Sequence, residues 1–287
     1  MATFAGGGAV VRRLALSLGV AAALSLPAVA AEDGGHAAHV KKLDWSFSGI
    51  FGGYDTAQLQ RGLQVYREAC GLCHSMEYVA FRNLGETTGP HMSEAAVKQI
   101  ASEYTITDIS NETGQPFDRP GIPADHFPSP FPNPTAAAAA NGGAYPPDFS
   151  LIAKARAEHR GFPGFIVDAF ANYAESGPDY IYALMTGYEE PPAGVEAVPG
   201  KFYNPVYLAG EWIAMPPPLR DGMITYADGS PETLEQYSKD ISAFLMWAAE
   251  PKLTERKAIG FRVMIFVAAL ALLFFLTKRK LWRNVDH

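Results

Sequence analysis

The stretch CGLCH, Cys70 to His74, contains both cysteines of this 287-residue chain, with a histidine directly after the second. Three chemistries use such a pair: a redox-active disulfide, half of a zinc site, or thioether attachment of a haem. Each of them requires a different framework around the pair. The surrounding sequence therefore distinguishes among the three chemistries and decides the fold class at the same time.

The segment before the pair predicts a helix that ends at the pair. In DTAQLQRGLQVYREAC, residues 55–70, Leu59 and Leu63 begin an apolar face with helical spacing, and Asp55 or Thr56 can cap the N-terminus. A thioredoxin-like disulfide instead follows a strand and opens a helix within a βαβ unit. The order found here disfavours a redox disulfide.

A zinc site would need two more ligands at a comparable spacing. The chain has no further cysteines, and its other histidines are scattered; His36 and His39 lie three apart, but near the start of the expected mature chain. Haem attachment fits better, because the two thiols add across the haem vinyl groups and place His74 next to the iron.

The N-terminus has the pattern of a secretory signal peptide. Arg12 and Arg13 precede the apolar run LALSLGVAAALSLP, which is too short for a membrane span, and small residues follow up to Ala30 and Ala31. We expect residues 1–31 to be cleaved off. The mature chain would then fold in the bacterial periplasm, where a c-type haem explains why two cysteines do not form a disulfide.

The C-terminus carries a second apolar run, VMIFVAALALLFFL, within residues 258–277. At about 1.5 Å per residue, this 20-residue stretch spans a hydrocarbon core of about 30 Å. Basic residues flank both ends, so the positive-inside rule alone does not fix the orientation. Because the signal peptide directs the globular part across the membrane first, we expect a periplasmic domain at 32–257, a transmembrane helix at 258–277 and a cytoplasmic tail at 278–287.

Long loops rich in proline and glycine connect the expected helices. Nine prolines lie within the 32 residues from Pro116 to Pro147, which excludes a long helix or a central strand there. No stretch shows several strands of alternating polarity. Besides the first helix, the patterns predict helices at TAAAAAN (135–141), FSLIAKARAEHR (149–160), DYIYALMTGY (179–188) and SPETLEQYSKDISAFLMWAAEP (230–251). Ser230 is the expected N-cap of the last one, and the predicted fold class is mainly α.

Charge is concentrated in the expected periplasmic domain. Residues 32–257 contain 16 Lys and Arg against 29 Asp and Glu, a net charge of −13, whereas the whole chain has −7. Such a domain repels nucleic acid and anionic membrane surfaces, and it attracts a basic partner. A plain solvated acidic surface is the alternative explanation.

The sixth position on the iron separates an electron carrier from a haem enzyme, because only an open site binds small molecules. Met215 lies in WIAMPPPL, where three prolines fix an extended backbone that suits a weak thioether ligand. A methionine that merely packs on the ring is the alternative. Ligation by His74 and Met215 would raise the haem potential and favour electron transfer.

Several motifs together resemble the cytochrome c1 family, the haem subunit of the cytochrome bc1 complex (ubiquinol–cytochrome c oxidoreductase). They are CGLCHSMEYVAFRNL, RPGIPADHFPSPFPNPTAAAAANGGAYPPDFSLIAKAR, YIYALMTGYEEPPAGV, WIAMPPPL and DISAFLMWAAEP, followed by one apolar span. The resemblance covers nearly all of the expected mature chain. It implies a c-type cytochrome fold and one covalently bound haem c.

The resemblance also implies roles for individual residues. Cys70 and Cys73 would hold the haem, and His74 and Met215 would be its axial ligands. The remaining implied haem-pocket residues are Asn141, Pro146, Pro147, Arg156 and Tyr180. Among them, Arg156 would pair with a haem propionate, which suits a guanidinium fork.

The implied function is that of an electron-transfer subunit of a quinol–cytochrome c reductase, in which this chain breaks no bond itself. The implied partners are cytochrome b, the Rieske iron–sulfur protein and a soluble basic c-type cytochrome, in a dimeric, membrane-bound complex. Two alternatives remain. One is a membrane-anchored cytochrome that serves a terminal oxidase, and the other is a haem enzyme with a displaceable sixth ligand.

Overall fold

The computed structural model describes residues 40–157 and 176–284. The predicted signal peptide (1–31), the end of the predicted helix at 149–160 and the last three residues of the tail lie outside these ranges. The α-helices within them are α1 (Thr56–Val65), α2 (Glu94–Ser102), α3 (Pro134–Ala140), α4 (Ile152–Ala155), α5 (Ser176–Thr186), α6 (Leu234–Ala249) and α7 (Leu253–Leu281).

Short strands form three two-stranded antiparallel ladders in the described part of the chain. The strands are β1 (Met76–Ala80), β2 (Thr105–Ile109), β3 (Pro116–Pro120), β4 (His126–Phe127), β5 (Phe202–Tyr203) and β6 (Trp212–Ile213). The pairs are β1 with β4, β2 with β3, and β5 with β6. The sequence did not indicate these short strands. The proline-rich segment enters two of them, as β3 and β4, because both strands of a two-stranded ladder are edges, and the prolines of β3 lie at its two ends.

Helix α1 begins where the sequence predicts, but its last turn differs. The Asp55 carboxylate accepts a hydrogen bond from the Gln58 N–H at 2.8 Å, which confirms Asp55 as the N-cap. Residues Tyr66–Cys70 form a π-helical turn instead of a continuation of α1, and the Gly71 N–H donates to the Tyr66 carbonyl at 2.7 Å. The first cysteine of the pair is thus the last residue of a widened turn.

The core lies where α6 packs against α1, α4 and α5. Gly62 permits the crossing of α1 and α6, because a Cβ atom there would lie 2.3 Å from the Asp240 carbonyl oxygen and 2.5 Å from the Phe244 Cβ. Beside this crossing, the fully buried Asp240 carboxylate accepts from the Arg61 Nε at 2.8 Å. A glycine and a buried ion pair therefore fix how the two helices meet.

The predicted N-cap of α6 is wrong by one turn. The helix begins at Leu234, and the Thr233 side chain accepts from the Gln236 N–H. The Ser230 N–H donates to the Asp228 carboxylate at 3.0 Å in a preceding turn, so Ser230 and the following proline lie outside the helix. The short helix at TAAAAAN is confirmed as α3, and α5 ends at Thr186, directly before Gly187 as predicted, although it begins three residues earlier than expected.

Helix α7 has 29 residues and is long and apolar enough to cross a membrane. It contains the whole predicted span of 258–277 and begins five residues before it. Its first turns contact the rest of the protein, since the Lys257 ammonium donates to the carbonyl oxygens of Phe47 at 2.5 Å and Gly49 at 2.6 Å.

Candidate haem site

One tight turn gathers the cysteine pair and the histidine. Cys70 ends the π-helical turn, and its carbonyl oxygen accepts the N–H groups of Cys73 at 3.1 Å and His74 at 2.9 Å. Both thiols are free, with Cys70 buried and Cys73 half-buried. Burial raises the pKa of the Cys70 thiol to about 12.

The His74 ring is held in a fixed orientation. Its Nδ1 lies 2.8 Å from the carbonyl oxygen of Pro147, and the ring stacks on Phe149 with 4.0 Å between centroids. A carbonyl only accepts, so Nδ1 carries the proton, and Nε2 keeps its lone pair. The side chain is 8% exposed, and burial lowers the pKa of the imidazole. A neutral, oriented imidazole with a free Nε2 is what an iron ligand requires, so these residues fit a haem.

Asp148 clamps the Pro147 segment onto the strand that follows His74. One carboxylate oxygen accepts from the Ser75 hydroxyl at 2.8 Å and from the Glu77 N–H at 2.9 Å, and the other accepts from the Ser150 N–H at 2.8 Å. The Phe149 N–H also donates to the Ser75 carbonyl at 2.8 Å. These bonds hold the acceptor of His74 in place.

A second group of residues surrounds Met215. The Tyr188 hydroxyl donates to the Met215 carbonyl oxygen at 3.1 Å, and Met215 itself is half-buried against the core. Burial raises the pKa of Tyr188, and the neighbouring Tyr180 adds to the effect. Burial also raises the pKa of Tyr180, whereas the nearby Arg156 guanidinium lowers it. Three predicted residues, Met215, Tyr180 and Arg156, thus lie in one neighbourhood.

The two remaining predicted pocket residues, Asn141 and Pro146, lie at the end of α3 and on the loop after it. The Asn141 side chain donates to the Ala137 carbonyl at 2.7 Å, where the helix ends, and Gly142 and Gly143 follow with φ angles of +62° and +90°. Pro146 is half-buried further along this loop. Among the described residues, no hydrogen bond joins the His74 group to the Met215 group, but Phe149 of the first group and Met215 of the second both pack against the same hydrophobic core.

Sequence reasoning missed Asp148, Phe149 and Tyr188. The signals for them are weak: an aspartate two residues before a serine allows a local side-chain turn, and an aromatic residue next to a proline pair is common in loops. Tyr188 directly follows the glycine after α5, so the local pattern predicted only that it belongs to the end of a helix. None of these local patterns indicates a contact with a residue tens of positions away.

The family model of the Cytochrome C1 family matches residues 45–285. The chain belongs to this family. It is 48% identical over 278 residues to "Cytochrome c1" of Blastochloris viridis, with 96% of each chain covered. It is 44% identical over 259 residues to the mitochondrial "Cytochrome c1-2, heme protein" of Solanum tuberosum, and this match covers 90% of this chain and 91% of the relative. It is 52% identical over 287 residues to "Cytochrome b/c1" of Bradyrhizobium diazoefficiens, and spans 41% of the length of that relative.

Membership of the cytochrome c1 family confirms the predicted fold class, a mainly helical c-type cytochrome with one long apolar C-terminal helix. Cytochrome c1 is the haem-carrying subunit of the bc1 complex, so the family implies haem c as the cofactor. The geometry of His74 agrees with this cofactor, because its free Nε2 and the two free thiols belong to one turn of the chain.

Proposed function

We propose that Cys70 and Cys73 bind one haem c through thioether bonds, with His74 and Met215 as the axial ligands of its iron. The observation that carries this proposal is the 2.8 Å contact of His74 Nδ1 with the Pro147 carbonyl, which leaves Nε2 free. A bound haem would supply a one-electron couple. With both axial positions filled, this chain relays electrons and activates no substrate.

In this proposal, the chain passes electrons from the Rieske iron–sulfur protein to a soluble c-type cytochrome, as the electron-transfer subunit of a quinol–cytochrome c reductase. The net charge of −13 over residues 32–257 supports a basic acceptor, whose association would slow as salt is added. The name of one relative, "Cytochrome b/c1", supports cytochrome b as a partner. We also propose that the complex is dimeric.

Charge pairing around α7 supports the proposed topology: a signal peptide at 1–31, a periplasmic domain at 32–257, a span at 258–277 and a cytoplasmic tail at 278–287. Lys252 pairs with Glu86 at 3.0 Å, Arg256 pairs with Glu250, and Lys257 binds backbone carbonyls. After the span, Lys278 and Arg279 instead lie over the rings of Trp282 and Phe275. Apart from Arg262, the basic residues near the outer end are thus engaged within the folded protein, which supports an inside position for the C-terminal end.

The pocket residues have distinct parts in this proposal. Pro147 orients His74 through its carbonyl. Asn141, Pro146 and Tyr180 would line the haem, and the Arg156 side chain, which is exposed next to Tyr180, would pair with a propionate. An Arg156→Lys variant keeps the charge and loses the bidentate geometry, so it separates these two contributions.

A pyridine haemochrome spectrum of the purified full chain tests the covalent attachment. We expect the spectrum of a haem with two thioether bonds in the wild-type protein and of a haem with one in Cys73→Ala; pigment that acid–acetone extracts would contradict the proposal. Carbon monoxide tests the filled sixth position. Slow or absent binding to the reduced protein supports an electron carrier, whereas rapid binding supports a haem enzyme.

Co-purification tests the choice of complex. Mild detergent extraction should recover the chain together with a b-type cytochrome and an iron–sulfur protein. Recovery with a terminal oxidase and without these two partners would instead support the alternative of an oxidase-linked cytochrome.

A further inference from the structure

An exposed aromatic loop lies against the first turns of α7. The Phe51 ring packs edge-on against the Phe261 ring, with 5.1 Å between centroids, yet Phe51 remains 80% exposed. Its neighbour Ile50 is also exposed. Together with Lys257 and Arg262, these side chains line a groove of about 270 Å³. A large apolar side chain is thus presented to the surroundings beside a helix that can cross a membrane.

The loop that carries Phe51 is held by several fixed contacts. The Lys257 ammonium binds the carbonyl oxygens of Phe47 and Gly49, and the Gly53 N–H donates to the Ser46 carbonyl at 3.1 Å. Gly49 has a φ of +71°, which suits a tight turn. The buried Phe47 ring anchors the loop in the core. Because the loop is fixed, the exposure of Phe51 is a property of the fold.

The position of Phe261 gives the depth of Phe51. Phe261 lies three residues after Ala258, the proposed outer end of the span, which is about 5 Å along the helix axis. A ring that contacts Phe261 therefore lies close to the boundary between the headgroups and the hydrocarbon core. Apolar aromatic side chains such as phenylalanine insert at this boundary in interfacial segments, and the guanidinium of the adjacent Arg262 can extend to a lipid phosphate.

We propose that Ile50 and Phe51 form an interfacial membrane contact, which inserts between phospholipids of the outer leaflet and fixes the ectodomain against the bilayer. The occupant of the groove between Phe51 and Phe261 is a phospholipid, with its phosphate near Arg262. Phe51 and Phe261 continue the exposed apolar surface of α7, and Arg262 supplies a positive charge beside them. This contact rests on the proposed topology. A loop fixed in this way would restrict the tilt of the ectodomain over the membrane.

Labelling of the full-length holoprotein tests this contact. Phe51→Cys and a control, Phe117→Cys, would each carry a nitrobenzoxadiazole fluorophore, in vesicles of phosphatidylcholine and phosphatidylglycerol. Phe117 is a matched control because it is an exposed phenylalanine on β3, with 45% exposure. Wild-type protein treated with the same fluorophore is the background control, because it shows how much label reacts with the two haem cysteines.

We expect nitroxide-labelled lipids to quench the fluorophore at position 51 and not at position 117. We expect iodide, present on both sides of the vesicles, to quench the fluorophore at position 51 several-fold less than the one at position 117. Equal iodide quenching at both positions would overturn the proposal, since the loop would then lie in water. Protection of position 51 from both quenchers would also overturn it, because protein would then cover the loop.

Two further measurements separate this inference from the proposed function. The haem spectrum of each labelled sample reports whether the cofactor site is intact, and flotation of the protein with the vesicles reports whether α7 is inserted. A failed quenching result in samples that pass both checks therefore contradicts the loop contact alone. Ile50→Cys gives a second labelled position, which should show the same pattern as Phe51→Cys.

Discussion

The Nδ1 atom of His74 and the carbonyl oxygen of Pro147 lie 2.8 Å apart, although the two residues are 73 positions apart in the chain. This bond fixes the ring tautomer and makes the imidazole a stronger donor towards iron. Its geometry depends on Asp148, whose carboxylate accepts three hydrogen bonds around it. The proposed axial ligand is therefore oriented by a loop, and the loop is positioned by one carboxylate.

Asp148→Ala should loosen this loop. Because three hydrogen bonds to a charged group are lost, we expect a loss of about 2–4 kcal/mol in the free energy of unfolding. A weaker Pro147–His74 hydrogen bond also makes the His74 imidazole a weaker electron-pair donor to iron, which should raise the midpoint potential of the haem. Thermal unfolding and redox titration measure the two effects. Asp118→Ala is the control, since Asp118 is exposed and accepts from Thr107 on the β2–β3 hairpin; equal effects in both variants would contradict the role of Asp148.

Met215→Leu should keep the haem covalently bound and lower its midpoint potential. Axial ligand identity covers about 0.8 V of haem potential in proteins, so we expect a fall on the order of 0.1 V or more. Met223→Leu, at an exposed methionine, is the control and should leave the potential unchanged. A potential that is unchanged in Met215→Leu would place the sixth ligand elsewhere.

Tyr188→Phe should weaken the attachment of the Met215 loop while it leaves the ring in place. Loss of the 3.1 Å hydrogen bond to the Met215 carbonyl costs about 1 kcal/mol. We expect carbon monoxide to displace the sixth ligand faster than in the wild-type protein, which a purely structural role of Tyr188 would not produce. Tyr78→Phe, at a tyrosine with 71% exposure, gives the baseline. Identical carbon monoxide kinetics in both variants would show that Tyr188 does not position Met215.

Gly62→Ala should separate α1 from α6. The new Cβ would lie 2.3 Å from the Asp240 carbonyl oxygen, so the helices must shift, and we expect a loss of about 1–3 kcal/mol in stability. Gly260→Ala is a matched control, because Gly260 is also helical and a methyl group added there would meet no atom within 4 Å. Thermal unfolding in detergent compares the two. A tolerated Gly62→Ala would mean that the crossing does not require close contact of the backbones.

Glu250 should make the stability of the junction before α7 depend on pH. Burial raises the pKa of this carboxyl, but Lys154 and Arg256 outweigh burial, so the pKa lies below its ordinary value of 4.5. A carboxyl whose pKa is lowered in the folded state stabilises the protein at pH values above its ordinary pKa. This contribution is lost as the pH falls through the folded-state pKa. Glu250→Gln should therefore lose about 1 kcal/mol at pH 7, and this loss should shrink as the pH falls from 7 to below the ordinary value of 4.5.

Melting temperatures of the wild type and Glu250→Gln across this pH range check the sign. The control is Glu255→Gln, because Glu255 pairs with Lys252 only at the surface. A difference between wild type and Glu250→Gln that grows as the pH falls would contradict the assignment.

The local patterns of the sequence predicted the features that depend on nearby residues. The Asp55 cap, the helix that leads to the cysteine pair, the end of α5 before Gly187 and the apolar α7 all follow from spacing, capping and hydropathy within one or a few turns. The same reasoning placed the cap of α6 wrongly at Ser230. There, the Asp228 carboxylate competes for the backbone N–H groups, and the local pattern did not show which arrangement wins.

The sequence alone predicted the chemistry of the site, because thiols and an imidazole at fixed spacing on one turn can serve only a few uses. It did not determine which groups surround them. The Pro147 carbonyl on His74, the Tyr188 hydroxyl on Met215 and the Phe51 ring on Phe261 join residues far apart in the chain. Only the tertiary structure decides such contacts, since they depend on how all the helices and loops pack together.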